Sequence, residues 1–377
     1  MALVPTLIED VRGLEDLREG WDALAVAAAR PYCAPAWMLA WWRHVPGPEA
    51  SLRAVAVHEG DELVALAPYF AETRAGRPTR YRVLAAGTSH RVEPVARPGR
   101  EREAAEAIAG ALASAAPRPA LVAFETVDDR VGWAQLLAQA WPTSKPPVAL
   151  LRRTEPAPTV TLDADDYAAW LQGKSRNFRS QAGRLRRRLE GKGAQFRLAG
   201  DDAELERGLA DFARLHYARW EDRGGTVALT PAVERMLLDA GKELLASGRL
   251  RLHTVEVDGE TISAHLFVAA GGEVAYWNGG FDERFAAEQP SMQALLSAVE
   301  EAFARGDRRV DLGGGGQAYK YRLADGEDEV ESELLAVRDR GYPLTRLQLA
   351  PSQAKAELGR RLPEETRDRL RQALRRG

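Results

Sequence analysis

Four stretches carry residue types that could do chemistry. From Lys174 to Lys192 the chain has eight basic residues and one acidic residue, a local charge of +7. Phe178, Ala182, Leu185 and Leu189 recur there at helical spacing, which predicts an amphipathic helix with its arginines on the outer face. Guanidinium groups suit bidentate phosphate contacts. Arg176 and Arg179 are therefore candidates for holding a phosphorylated substrate or an RNA backbone. A solvated face paired with acidic loops elsewhere is an equally open reading. In the second stretch, Phe212, Leu215, Arg219 and Trp220 share one side of a helix that Gly224-Gly225 ends, and Arg223 adds a cation. His216, one turn before Trp220, faces a pocket or the core.

The third stretch runs from Val274 through Asn278-Gly279-Gly280-Phe281 to a helix starting at Ser291. Its apolar face is Met292, Leu295, Leu296, Val299 and Phe303. A helix N-terminus leaves backbone N–H groups unpaired and carries partial positive charge, a natural place for a pyrophosphate. Asn278, Gly279, Ser291, Met292 and Gln293 are its candidate contacts. In the fourth stretch, Asp311-Leu312 leads into four glycines, then Gln317-Ala318-Tyr319-Lys320-Tyr321-Arg322. Glycines let backbone approach a ligand closely, and the polar tips that follow cluster near a strand end. A flexible connector is the plainer alternative.

Other enzyme signatures are missing. There is no GxSxG, HExxH, Walker A or kinase set, and His58, His90 and His253 are far apart in sequence from any zinc-like pattern. The single cysteine, Cys33, suits a buried thiol.

These stretches need elements to position them. The 377 residues, with 45% hydrophobic and 28% charged residues and a net charge of −3, suit two soluble domains and give no global reason for nucleic-acid binding. No apolar run is long enough to span a membrane and no signal peptide is evident, so a cytoplasmic protein is expected. Helices are predicted over 14–29, 36–44, 100–114, 164–191, 202–220, 231–247 and 291–304. Strands are predicted over 52–57, 63–70, 120–124, 250–257, 261–269, 274–281 and 309–312. Turns at His58-Glu59-Gly60-Asp61 and Asp258-Gly259 make two hairpins. Gly60, Leu63 and Ala65 match Gly259, Ile262 and Ala264 at a constant offset of 199, which points to an internal duplication of an α/β unit with mixed sheets. Pro156 and Pro158 mark the boundary between halves, because proline disfavours helix and central strand. The divisions are 1–154, 155–337 and a charged helical extension, 338–377. Residues 353–377 hold eight basic and four acidic residues, the pattern of a solvated terminal helix.

Taken in order, Ser175-Arg-Asn-Phe-Arg179 with its arginine run, Leu215-His216, Arg219-Trp220, Arg223-Gly224, Val257-Asp258-Gly259, Gly280-Phe281-Asp282, Gln289-Pro290-Ser291 and Asp311-Leu312-Gly313 before Tyr319-Lys320 resemble the BioF2-like (CelD-type) acetyltransferase family of the GNAT superfamily, related to the Fem peptidyltransferases. The likeness covers about 155–335, and the first half looks like a divergent partner. It implies tandem GNAT-like domains and transfer of an acyl group to an amine of a small molecule, a sugar or a cell-envelope precursor. The donor would be acetyl-CoA or another acyl-CoA, with no metal. The sequence departs from the family at Ser291-Met292, where glycine is frequent. It also lacks the usual Arg/Gln-x-x-Gly-x-Gly/Ala loop. An aminoacyl-tRNA donor, as in Fem-like enzymes, and a non-catalytic binding module are the alternatives. Lys320 occupies the place of a catalytic lysine in Fem-like relatives. It would neutralise developing charge, Tyr319 would protonate the leaving group, Asp311 or His265 would accept the amine proton, and backbone N–H groups near Asn278 would face an oxyanion. A packed core role for His265, mid-strand, is at least as open. Arg176, Arg179, His216, Arg219, Trp220 and Arg223 would line the substrate side. The acceptor and the oligomeric state are not legible.

Overall fold

A computed structural model describes residues 2–128, 130–221, 226 and 228–361. Both expected hairpins form. Gly60 and Gly259 take φ of 63° and 78°, left-handed values that glycine adopts without a Cβ penalty. The strands Ala54–Glu59 and Glu62–Ala67 pair antiparallel, as do Leu250–Val257 and Glu260–Ala270. Each hairpin shifts register just before its turn, at Val57/His58 and Val255/Glu256. An outer strand joins each one, Val4–Ile8 in the first half and Gln195–Leu198 in the second. The repetition seen at an offset of 199 is therefore also a repetition of pairing.

The halves then diverge, and a proline is the reason. Residues 63–70 read as one strand in sequence, but Pro68 has no N–H to give to a ladder. The chain breaks there: Glu62–Ala67 stays in a four-stranded sheet and Tyr69–Glu72 joins an eleven-stranded one. In the second half Glu273–Phe281 continues beside Glu260–Ala270. The large sheet runs across both halves. Its centre pairs two strands absent from the sequence reading, Val148–Thr161 and Gly326–Ala336. Both are polar on one side and heavily charged, which hides a strand from a hydrophobicity pattern.

Pro156 and Pro158 lie inside Val148–Thr161, not in a linker. Next to Arg309–Asp311 this strand forms ladder pairs only at Thr159–Thr161. Before that point the facing strand has ended, so no ladder needs the missing N–H groups. The proline carbonyls instead accept from Gly315 and Leu312 N–H.

Helices cover both faces of the second-half sheet. Arg176–Glu190 and Pro290–Ala304 share a core with Phe267, Tyr276 and Val310. On the other face, Asp202–Glu221 and Pro231–Ala246 pack through Phe212, Leu215 and Leu237 against Leu252, Leu266 and Trp277. The single helix read over 164–191 is two, Tyr167–Gly173 and Arg176–Glu190. Ser175 adopts an extended backbone between them and its hydroxyl accepts from Phe178 N–H, which starts the second helix. Cys33 is fully buried, and burial pushes its thiol up to about 12. The last described element is the helix Tyr342–Arg361, with Leu344 and Leu347 exposed. Among the described residues no helix is long and apolar enough to cross a membrane.

Candidate functional site

The site grows from the strand Glu273–Phe281. It pairs in parallel with Arg309–Asp311, but only over Glu273–Ala275. Beyond Ala275 that edge has no strand, and backbone groups there need other partners. The first half supplies them. Tyr32 Oη donates to the Ala275 carbonyl at 3.1 Å, His90 Nε2 lies 3.3 Å from the Tyr276 carbonyl, and Trp277 Nε1 donates to the Thr88 carbonyl at 3.0 Å. The two halves meet where the parallel pair ends.

Two glycines on this strand let both faces be approached closely. A Cβ at Gly279 would lie 2.1 Å from His265 Nδ1 and 2.6 Å from Tyr276 Oη, and one at Gly280 would lie 3.0 Å from His216 N. Gly280 thus admits the backbone of Asp202–Glu221, and that helix carries Arg219 to a position 5.5 Å over the Phe281 ring. Gly279→Ala should therefore displace His265 and lower stability by about 1–3 kcal/mol. Urea unfolding measures this; an unchanged midpoint would show that the ring has room to move.

A cavity of about 290 Å³ opens beside the strand. Arg219, His265, Tyr276, Ser291, Tyr319 and Arg322 line it. Neither Arg219 nor Arg322 has a carboxylate partner among the described residues. Arg322 bonds the Gln181 and Gln289 side chains at 2.6 and 3.3 Å and lies over Phe178. The helix Pro290–Ala304 begins here with proline in its first turn after Gln289, whose φ is 50°. Ser291 Oγ, in the first turn, is buried and has no hydrogen-bond partner. Two guanidinium groups without carboxylate partners among the described residues, the first N–H groups of a helix and an unpaired hydroxyl thus share one cavity, and all are groups that suit an anion. Arg322 was legible in sequence only as one of the polar tips after the glycines.

Tyr319 is half-exposed into the cavity, and burial raises its phenol, so it keeps its proton at neutral pH. His265 is buried between Tyr276 Oη and Ser263 Oγ, each 3.1 Å away. Burial brings it down to about 3, so it is a neutral ring that holds Tyr276.

Other expected residues sit elsewhere. Lys320 turns away, buried, with Nζ donating to the Gly313 and Gly314 carbonyls at 2.9 Å. Burial lowers it to about 8, against the pull of Asp311 and Glu155. It fastens the glycine loop. Asp311 is fully buried and held by Arg91 Nε at 2.6 Å and Gly313 N–H at 2.9 Å. Although burial raises it, Arg91 and His90 keep this carboxyl below its usual range. Asn278 Oδ1 accepts from Gly279 N–H, so that donor is already used. Met292 lines the cavity, while Gln293 reaches the Ala182 carbonyl and ties two helices together. Arg179 caps the preceding short helix through the Gln172 and Lys174 carbonyls, and Arg176 is exposed outside the cavity. His216 is buried beside Phe212 and Trp220, with Nε2 2.9 Å from Thr226 Oγ1. Arg223 lies outside the described residues.

The buried histidines set a pH response. His216 falls to about 4 by burial, and His265 to about 3, from 6.5. As pH drops below 6.5 the unfolded chain takes up protons that the folded chain refuses. Stability is complete above that pH and declines through the interval down to about 4, by roughly 3 kcal/mol for His216. Unfolding midpoints between pH 7 and 4.5 should fall steeply, and less steeply in His216→Gln. Parallel curves would remove His216 from this account.

The chain thus has two α/β halves with repeated strand pairing and a cavity of cationic groups at a helix start. Residues 176–321 match the family model of the acetyltransferase (GNAT) domain. Among solved structures, the chain is similar to FemX, with a TM-score of 0.60 at 15% identity over 89% of this chain and 98% of that one. It is also similar to the C-terminal domain (DUF2156) of a putative lysylphosphatidylglycerol synthetase from Agrobacterium fabrum, with a TM-score of 0.56 at 13% identity over 90% and 96% of the two chains. L-PGS from Bacillus licheniformis gives a TM-score of 0.50 at 13% identity, over 90% and 96%. No curated protein matches the sequence. The fold is mixed α/β with two halves of repeated strand pairing, and the GNAT-domain match falls within the second.

Proposed function

We propose that this protein is an N-acyltransferase that moves an acyl group, acetyl or longer, from acyl-CoA to an amine of a small molecule, a sugar or a cell-envelope precursor. One observation carries the reading: Arg219 and Arg322, without carboxylate partners among the described residues, share a cavity with the start of Pro290–Ala304, where Ser291 Oγ is unpaired. Phosphates of the donor would satisfy all three. The amine nitrogen attacks the thioester carbon, a C–N bond forms, the C–S bond breaks, and the amine's proton ends on the leaving sulfur. Tyr319, protonated and facing the cavity, would give its proton to the thiolate and be recharged from the amine. Lys320 and Asp311 would act through the glycine loop, and His265 through Tyr276.

The exposed Arg176, Arg184 and Arg187 on the basic helix, which have no carboxylate partners among the described residues, favour a second reading. It is a Fem-like transferase that takes its donor from aminoacyl-tRNA. Calorimetric titration with acetyl-CoA, longer acyl-CoAs and desulfo-CoA, with tRNA in parallel, separates the two. Micromolar CoA binding supports the first. Salt-dependent tRNA binding without CoA binding supports the second. Silence with both leaves a non-catalytic binding module.

A further inference from the structure

The helix Tyr342–Arg361 has two faces of opposite kind. One is packed: Tyr342 and Leu349 lie against Leu121, Ala123 and Leu334, and Thr345 is buried. Gln348 Nε2 and Gln353 Nε2 donate to the Gly76 and Leu150 carbonyls, both at 3.0 Å, and pin the helix to the body. Tyr342, Thr345, Leu349 and Gln353 follow at steps of three and four residues, which is one helix face. Leu344, Leu347, Pro351 and Ala354 recur at the same steps on another face, and all four are exposed. Leu344 and Leu347 are 59% and 71% exposed, the most open large apolar side chains among the described residues. A helix packed along one face ordinarily turns charge outward. This stripe carries none.

The charge stands around it, and it has one sign. Arg338 and Arg340 lead into the helix, Arg346 lies in its first turns, and Arg77 follows the glycine whose carbonyl Gln348 holds. All four are exposed, and none has a carboxylate partner among the described residues. Arg74, in the same loop as Arg77, is by contrast paired with Glu49. Asp339, between Arg338 and Arg340, accepts from Gly341 N–H at 2.8 Å. Free cations are therefore in excess around an apolar stripe.

The charges decide what covers the stripe. A second copy meeting it through a two-fold axis would set the same cations against themselves, and like charges repel. A nucleic acid would take the arginines and leave the leucines in water. An anionic bilayer takes both: leucine tips enter the boundary of the acyl chains while guanidinium groups stay with the lipid phosphates. We infer that this face of the helix is a peripheral docking surface for an anionic lipid bilayer. None of its residues lines the cavity at Ser291, so docking and donor binding are separable.

The test mixes the full chain with vesicles of equal parts phosphatidylglycerol and phosphatidylcholine, or of phosphatidylcholine alone, and reads bound protein by flotation. The mixed vesicles should bind it, and phosphatidylcholine alone should bind at least tenfold more weakly. Raising salt from about 0.1 M to about 1 M shortens the screening length from about 10 Å to about 3 Å and should release most of the protein. Each cation beside an anionic surface is worth about fivefold, so Arg338→Ala, Arg340→Ala and Arg346→Ala together should weaken binding about 100-fold. Leu344→Gln with Leu347→Gln should weaken it about tenfold or more. Both leucines are already exposed and glutamine is a good helix former, so the urea midpoint should not move. Acetyl-CoA affinity should be the same in both variants as in the wild type. Equal binding to the two kinds of vesicle, or a leucine variant that binds as the wild type does, would overturn the inference. So would absence of vesicle binding: a dimer in light scattering that the leucine variant dissolves would then give the face to a second copy, and RNA binding that only the arginine variant loses would give it to a nucleic acid.

Discussion

Arg219→Ala and Arg322→Ala each weaken acyl-CoA binding roughly 10- to 100-fold. A charge-assisted hydrogen bond contributes about 1.5–3 kcal/mol, and each 1.4 kcal/mol is tenfold. Neither guanidinium has a carboxylate partner among the described residues, so no internal ion pair takes the place of the lost contact. Arg322→Ala has the larger effect, because its contact with Gln289 also holds the residue at φ 50° that opens the helix. Lysine at either position restores only part of the affinity, since a point charge cannot replace a planar fork. Arg176→Ala is the comparison: exposed and outside the cavity, it changes CoA affinity less than twofold. Calorimetry with acetyl-CoA and desulfo-CoA reads all five variants. Wild-type affinity in both alanine variants would move the donor's phosphates away from this cavity, and with them the acyl-CoA reading.

Arg91→Ala lowers stability by about 3–5 kcal/mol. Arg91 is buried and joins the halves: its guanidinium meets Asp311 at 2.6 Å, Asp328 at 2.9 Å, and Asp128. Asp128 is also held by Arg30 and Arg130, and Asp328 by Arg309. Removing Arg91 leaves Asp311 fully buried without its cation, and an unpaired buried charge is far costlier than a neutral replacement of the pair. The pH dependence identifies the cause. In the native protein Arg91 keeps Asp311 below its usual range, so this stabilisation is complete above about pH 4 and lost only below it. In the variant the carboxyl rises and takes a proton in the folded state, so the stability gap narrows as pH falls from 7 to 5. Urea midpoints across that range measure it. A gap under about 1 kcal/mol at pH 7 would mean the network is hydrated and weakly coupled. Because Asp311 also holds Gly313, the loop that Lys320 fastens loosens too, and CoA affinity reports that separately.

The chain's local pattern determined much of the fold. The hairpins at Gly60 and Gly259, the amphipathic helix from Arg176 and the helix from Pro290 follow from turn chemistry and periodicity, which act over a few residues. Arg219, Ser291 and Tyr319, which line one cavity, could be named as candidates from sequence for the same reason: each stands near the end of an element with a clear pattern. Tertiary structure decided the rest. The strands Val148–Thr161 and Gly326–Ala336 carry charged residues and prolines, and become central only because each finds the other across more than 160 residues of chain. Lys320, Asp311 and Asn278 have the right types for catalysis, yet each is bound to its own neighbouring loop or to Arg91. Sequence gives a residue's chemistry but not its partner, and a buried lysine or aspartate acts through whatever holds its charge. Arg322 and Arg219 reach one cavity because Gly280, where a Cβ would stand 3.0 Å from His216 N, lets a helix approach a strand closely. Long-range packing fixes that distance, and no local spacing contains it.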